Sequence, residues 1–245
     1  MDVIVWTVIV VGFAAFALVI ATGLYRASLT AGSPRSTAVA VGSVFALVWL
    51  GWVVVSGMLG AAGVYRQDAS AVRPWLVVAF AGVLGAALLA ARLPVVARAL
   101  AVPHAPALLV APQALRVVGG VFLLVMAVGE LPPVFALPAG IGDVAVGVAA
   151  VFVARRLRAG TAGRGAVWFN RLGILDLVVA LTIGTVAGLL GAEPSTAPVG
   201  LLPLVLIPTA AVPLALALHV LALARLRDDA AAPRGRAAGQ PAGTS

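Results

Sequence analysis

In GIGDVAV, residues 140–146, and GILDLVV, residues 173–179, an aspartate stands at the same point of two similar phrases. Each phrase lies inside an apolar run long enough to span a bilayer. A carboxylate near mid-bilayer costs at least ~2.5 kcal/mol even on permissive insertion scales, so Asp143 and Asp176 are expected to face the interior of a helical bundle and to have partners there. Their neighbours at helical spacing agree: Gly140, Gly147 and Ala150 around Asp143, and Gly173 and Ala180 around Asp176, form small-residue faces that admit a second helix. Carboxylates and an imidazole in apolar surroundings exchange protons or hold cations. With Glu130 before Asp143 and His219 in the last apolar run, the sequence offers a candidate ion or proton relay of Glu130, Asp143, Asp176 and His219. Arg116, Asn170 and Arg171 are candidate supporting polar groups. Thr209, with Pro208 and Pro213 and the earlier Pro203, marks a kinked segment whose prolines free the carbonyls of Leu204 and Thr209.

The elements that position these groups follow from hydropathy. An all-α, polytopic transmembrane bundle is expected, with seven spans at 3–25, 37–61, 74–91, 113–130, 140–157, 167–190 and 199–224. The apolar runs are continuous, not alternating, so helices and not a barrel satisfy the backbone. Residues 92–112, broken by prolines and Arg98, are expected to be interfacial or re-entrant, and LPPVFALPA at 131–139 to be a loop. With the N-terminus outside, fourteen of the sixteen arginines fall on cytoplasmic segments and only Arg66 and Arg73 remain outside, a strong positive-inside bias. Measured from the nearest arginines, Asp143 is expected ~18 Å, Asp176 ~8 Å and His219 ~9 Å above the cytoplasmic boundary, which pairs His219 with Asp176 and leaves Asp143 higher. Trp6, Trp49, Trp52, Trp75 and Trp168 are expected as interfacial anchors. Residues 1–227 are expected to form one transmembrane domain, and the Pro- and Gly-rich 228–245 a disordered cytoplasmic tail.

Composition narrows the chemistry. Of 245 residues, 63% are hydrophobic and 10% charged, against about 25% charged in a soluble domain, so the bilayer is the main solvent. Cysteine is absent, which removes thiolate nucleophiles and cysteine-ligated metal or iron–sulfur sites. Lysine is absent too, which removes Schiff-base chemistry. His219 is the one histidine within a span, and His104 falls in the proline-rich connection, so neither a metal centre nor a bis-histidine haem is expected, and no cofactor is. The net charge of +8 is accounted for by topology and by anionic lipids at the cytoplasmic face, not by nucleic acid. The expected location is a bacterial inner membrane, the arginine-only, Ala- and Val-rich usage being what a GC-rich genome encodes.

FALPAGIGD at 135–143, WFNRLGILD at 168–176 and PLVLIP at 203–208 followed by His219 resemble the C-terminal signature of a family of uncharacterised bacterial multi-pass membrane proteins. The resemblance covers residues 130–224 and implies a membrane protein without lending any residue an activity. Three functions remain open. A small bundle conducting protons or moving a solute explains the intramembrane Asp and His groups. A non-catalytic assembly or regulatory subunit, working as a homo-oligomer or with a partner membrane protein, would use them only to lock helices. An embedded enzyme would use Asp176 and His219 as acid and base on a lipid-derived substrate.

Overall fold

The computed structural model describes residues 2–66, 74–161 and 163–231, and every regular element among them is helical. Two long antiparallel helices open the chain, α1 (Asp2–Thr30) and α2 (Arg35–Ala61). A short helix α3 (Trp75–Ala90) is bent by 79° into α4 (Pro94–Leu100). The next span, Ala105–Ala127, is composite: α5 (Ala105–Val110), a 3-10 segment (Ala111–Gly120) and α6 (Val121–Ala127). The helices α7 (Pro133–Arg158) and α8 (Gly163–Leu189) form a hairpin. A π-helical turn (Ile207–Ala211) leads into α9 (Val212–Ala231).

Among the described residues six helices are long and apolar enough to cross a membrane, and a seventh results if α3 and α4 count as one bent span. The expected span at 74–91 is α3, which at 16 residues reaches only about 24 Å. The expected re-entrant stretch divides: its first half is the bent α4, while 105–112 opens the fourth span. The prolines explain why. Pro112 falls where α5 gives way to the 3-10 segment, whereas Pro94 and Pro106 stand in the first turn of their helices, where a missing N–H costs nothing, so they begin helices instead of breaking them. Pro133 does the same for α7, so LPPVFALPA is not a loop: α7 begins at Pro133 and carries Pro138 inside. At the other end, α9 continues through 228–231, the first residues of the expected tail. The remainder of that tail, 232–245, and the external-loop Asp68 and Arg73 lie outside the described residues.

The fourth span, α7 and α9 form the centre. The 3-10 segment lies along α7, α8 packs on both α7 and α9, and α1 also packs on the fourth span. The helices α2 and α8 present their outer faces, with Val44, Leu47, Val48, Met58, Leu172 and Leu175 exposed as a lipid-facing surface requires. The tryptophans divide. Trp6, Trp75 and Trp168, near helix ends, are well exposed, but Trp49 and Trp52 fall in the middle of α2. Trp49 is buried between Phe13, stacked at 5.8 Å, and Phe16, edge-on at 5.7 Å, so it is core and not an interfacial anchor.

The α7–α8 hairpin fixes the depth of everything below. Thr161 N–H donates to Arg156 C=O and Gly160 N–H to Leu157 C=O, with Gly160 at φ +71°, a glycine-capped helix end. Arg155, Arg156 and Arg158 occupy the last turn, where cations complement the helix dipole.

Candidate functional site

The fourth span supplies the cation. Ten residues of 3-10 helix are unusual, because such runs rarely exceed three or four. At three residues per turn, side chains at i and i+3 eclipse, which sets Gln113, Arg116 and Gly119 in single file on one buried face. An α-helix would spread them around its axis. Gln113 Nε2 donates to the Ala215 carbonyl at 2.9 Å, tying this file to α9. Arg116 points between α7 and α8.

There it meets both aspartates. Arg116 Nε donates to Asp143 Oδ1 at 2.7 Å, Nη2 pairs with Asp176 Oδ2, and Nη1 reaches the Gly173 carbonyl at 3.4 Å. Asp143 and Asp176 therefore stand at one level. Measured from the hairpin turn, they lie roughly 22 and 20 Å along α7 and α8, whereas reckoning from Arg155 and Arg171 set them far apart because Arg171 lies two turns inside α8. One guanidinium against two carboxylates leaves one negative charge over unless a carboxyl carries a proton.

His219 is one step removed. It makes no hydrogen bond with Asp176. Its Nδ1 lies 2.8 Å from Asn170 Oδ1, and Asn170 Nδ2 donates to the Ala166 carbonyl at 2.8 Å, so the amide oxygen faces the ring and His219 Nδ1–H is the donor. His219 Nε2 is buried and unpartnered among the described residues. The expected His219–Asp176 pair is thus replaced by His219–Asn170, because α9 brings the ring against Gly173, about one turn short of Asp176.

The glycines repeat one device across three interfaces. A Cβ on Gly119 would collide with the Asp143 carboxylate, one on Gly142 with that of Asp176, and one on Gly173 with the His219 ring. Each helix thus lays its polar residue over a bare glycine of the helix before it. Gly140 and Gly147 admit Leu123 and Val117 instead. The glycines preceding the two aspartates are packing devices in both phrases, but their occupants differ.

The other expected site residues separate. Glu130 is exposed in the turn before α7 and touches none of the cluster. Arg171 is exposed on α8 with its guanidinium 5.5 Å from the Trp168 ring centre. Thr209 is fully buried in the π-helical turn, donating through Oγ1 to the Val205 carbonyl at 2.7 Å, with Ser56 Oγ 2.7 Å away and Tyr65 Oη 3.4 Å beyond. The carbonyl of Thr209, freed by Pro213, accepts from Trp52 Nε1 at 2.9 Å. Among the described residues no group of three or more His, Asp or Glu side chains is placed to hold a metal ion.

Sequence reasoning missed Gln113, Gly119, Gly142, Ser56 and Trp52. Gln113 was findable, since it and Arg116 are polar residues at a spacing of three within one apolar run. A cavity of about 50 Å³ opens beside the cluster, walled by Phe13, Phe16, Leu177 and Val212, with Arg116 and Asp143 at its polar side. Ile207 and Ala211 of the π-helical turn complete it. Such turns frequently interrupt helices at functional sites.

No curated protein and no solved structure matches the chain. A family model does, over residues 73–227, a range that contains Arg116, both aspartates, Asn170, Thr209 and His219. The chain belongs to that family, whose description is Domain of unknown function (DUF8737).

Proposed function

We propose that this multi-pass membrane protein is a small transport-type bundle in which Asp143, Arg116 and Asp176 form the charge-carrying centre. The observation that carries this reading is the sharing of one guanidinium by two carboxylates in the middle of an apolar bundle. Such a cluster is neutral with one proton or one bound cation and negative without it, so it favours taking up a positive charge at mid-membrane. Asp176 retains 19% of its side-chain surface and Asp143 12%. His219 and Asn170 lie next along the bundle toward the arginine-bearing end of α7, with His219 Nε2 left without a partner among the described residues. Glu130 is a rim group in this reading, not a link.

The topology that goes with it has seven spans, α3 and α4 serving as one, with the N-terminus outside and the arginines of α7 and α9 against the anionic lipids of a bacterial inner membrane. No nucleic acid is involved. A second copy or a partner membrane protein would meet the exposed faces of α2 and α8.

The test is proton flux into vesicles holding an internal pH-sensitive dye, driven by an imposed pH gradient. The parent protein should conduct, and Asp143→Asn and Asp176→Asn should each abolish flux while folded protein remains in the membrane. Unchanged flux in both variants rejects the reading. A second reading, a helix fastener within a larger assembly, is favoured by the glycine-matched seating of all three polar groups. It predicts instead that both variants lose folded protein and that the parent conducts nothing.

A further inference from the structure

We infer that the cavity beside Asp143 binds a small monovalent alkylammonium ion, which exchanges there for the proton of the Asp143–Asp176 pair. The inference rests on the transport reading and names its cargo. Charge excludes an anion: all three nitrogens of Arg116 are directed to Asp143, Asp176 and the Gly173 carbonyl, and the surplus charge of the cluster is negative. Coordination excludes a bare hard cation, which takes six or more oxygens where the cavity wall offers one carboxylate among apolar side chains. What remains is a cation with an apolar body.

The walls fit such a body. Leu177 and Val212 are aliphatic, and Phe13 and Phe16, both held against Trp49, supply aromatic carbon that suits an ammonium group near a ring. Asp143 Oδ2, which has no hydrogen-bond donor among the described residues, belongs to the carboxylate lining the cavity and is the acceptor for the ammonium N–H. Size sets the scale. One water needs at least about 10–15 Å³, so a cavity of about 50 Å³ admits only a small body, and propylammonium is the probe chosen on that scale.

The exchange balances: a protonated carboxyl and RNH3+ in water give a carboxylate paired with bound RNH3+, and one proton is released. The charged or titratable groups facing this point are Arg116 from the fourth span, Asp143 from α7, Asp176 from α8 and, one turn away, His219 from α9. The lining residues of α1, Gly12, Phe13 and Phe16, are uncharged.

The experiment titrates propylammonium chloride into the purified full-length protein by calorimetry, in two buffers of different ionisation enthalpy, so that released protons are counted. The parent should bind and release up to one proton per ion, while 1-propanol and sodium chloride produce no binding. Asp143→Asn should weaken binding at least tenfold. Because that variant touches the centre itself, Ala211→Leu is run beside it: it narrows the cavity without altering the charged groups, and should weaken propylammonium binding at least tenfold while the protein stays folded. Failure of the parent to bind propylammonium while proton flux persists overturns the inference and leaves the transport reading standing. Binding unaffected by Ala211→Leu, or binding without proton release, also overturns it. Ala211-sensitive binding with proton release, in a protein that passes no protons, supports the ligand site and rejects transport.

Discussion

Asp143 of α7 and Asp176 of α8 converge on one guanidinium, that of Arg116, and both approach its Nη2, although the hairpin that joins their helices turns far below them. The arginine is what allows two carboxylates to face each other across a helix interface in an apolar bundle. Removing one partner of a buried ion pair costs about 3–5 kcal/mol, because the other charge is left buried and alone.

Arg116→Gln should therefore be the most destructive single change in the centre, and its loss should be repairable. With both carboxylates unpaired, folded yield in detergent should collapse. The triple variant Arg116→Gln, Asp143→Asn, Asp176→Asn replaces the ions by neutral hydrogen-bonding groups and should recover most of the thermal stability. A triple variant no better folded than Arg116→Gln alone would mean that charge is not what the cluster balances.

The glycines give a steric prediction with an internal control. Alanine at Gly142 or Gly173 forces its methyl into Asp176 or His219, and overpacking of this kind costs about 1–3 kcal/mol. Gly23, inside α1 about two turns from its end, has nothing within 4 Å of an added Cβ. There, the same change relieves backbone entropy and should be neutral or stabilising by about 0.5–1 kcal/mol. Melting temperatures of the three variants decide it, and equal effects at all three sites would contradict the packing described.

How much of this was legible in the sequence differs by residue. Asp143 and Asp176 stood out because charge in an apolar run is costly wherever the helix lies, and their small-residue faces followed from helical spacing. Arg116 could be named but not placed, because its direction depends on a 3-10 stretch that no propensity of APQALRVVGG announces. Depth failed for a related reason. Arginines mark a membrane boundary only when they stand at helix ends, and Arg171 stands well inside α8, against Trp168. Prolines misled at Pro106 and Pro133, where a residue that breaks helix interiors opens a helix instead. Glu130, read as the first member of a relay, is a turn residue because α7 begins earlier than its hydropathy indicates.

The His219–Asn170 contact should behave as a unit. Asn170→Leu leaves His219 Nδ1 without an acceptor, and a buried group left unpaired costs about 1–3 kcal/mol. His219→Leu strands the Asn170 oxygen at a similar cost. The double variant should then lose less than both single losses combined, by about 0.5–3 kcal/mol of coupling. Unfolding of the four proteins under the same detergent conditions measures that coupling, and strict additivity would place the two side chains out of contact.

Trp52 and Pro213 make the same argument through the backbone. Pro213 has no N–H to offer the Thr209 carbonyl four residues earlier, and Trp52 Nε1 takes that carbonyl from α2. Trp52→Phe keeps the aromatic bulk but strands the carbonyl, so it should destabilise by about 1–3 kcal/mol. Pro213→Ala restores a backbone donor to the same oxygen. In the Pro213→Ala background, Trp52→Phe should therefore cost markedly less, with the Ser56–Thr209 hydrogen bond left as the polar tie from α2 to the π-helical turn. If Trp52→Phe costs the same in both backgrounds, the indole's contribution is packing, and the freed carbonyl is not what it serves.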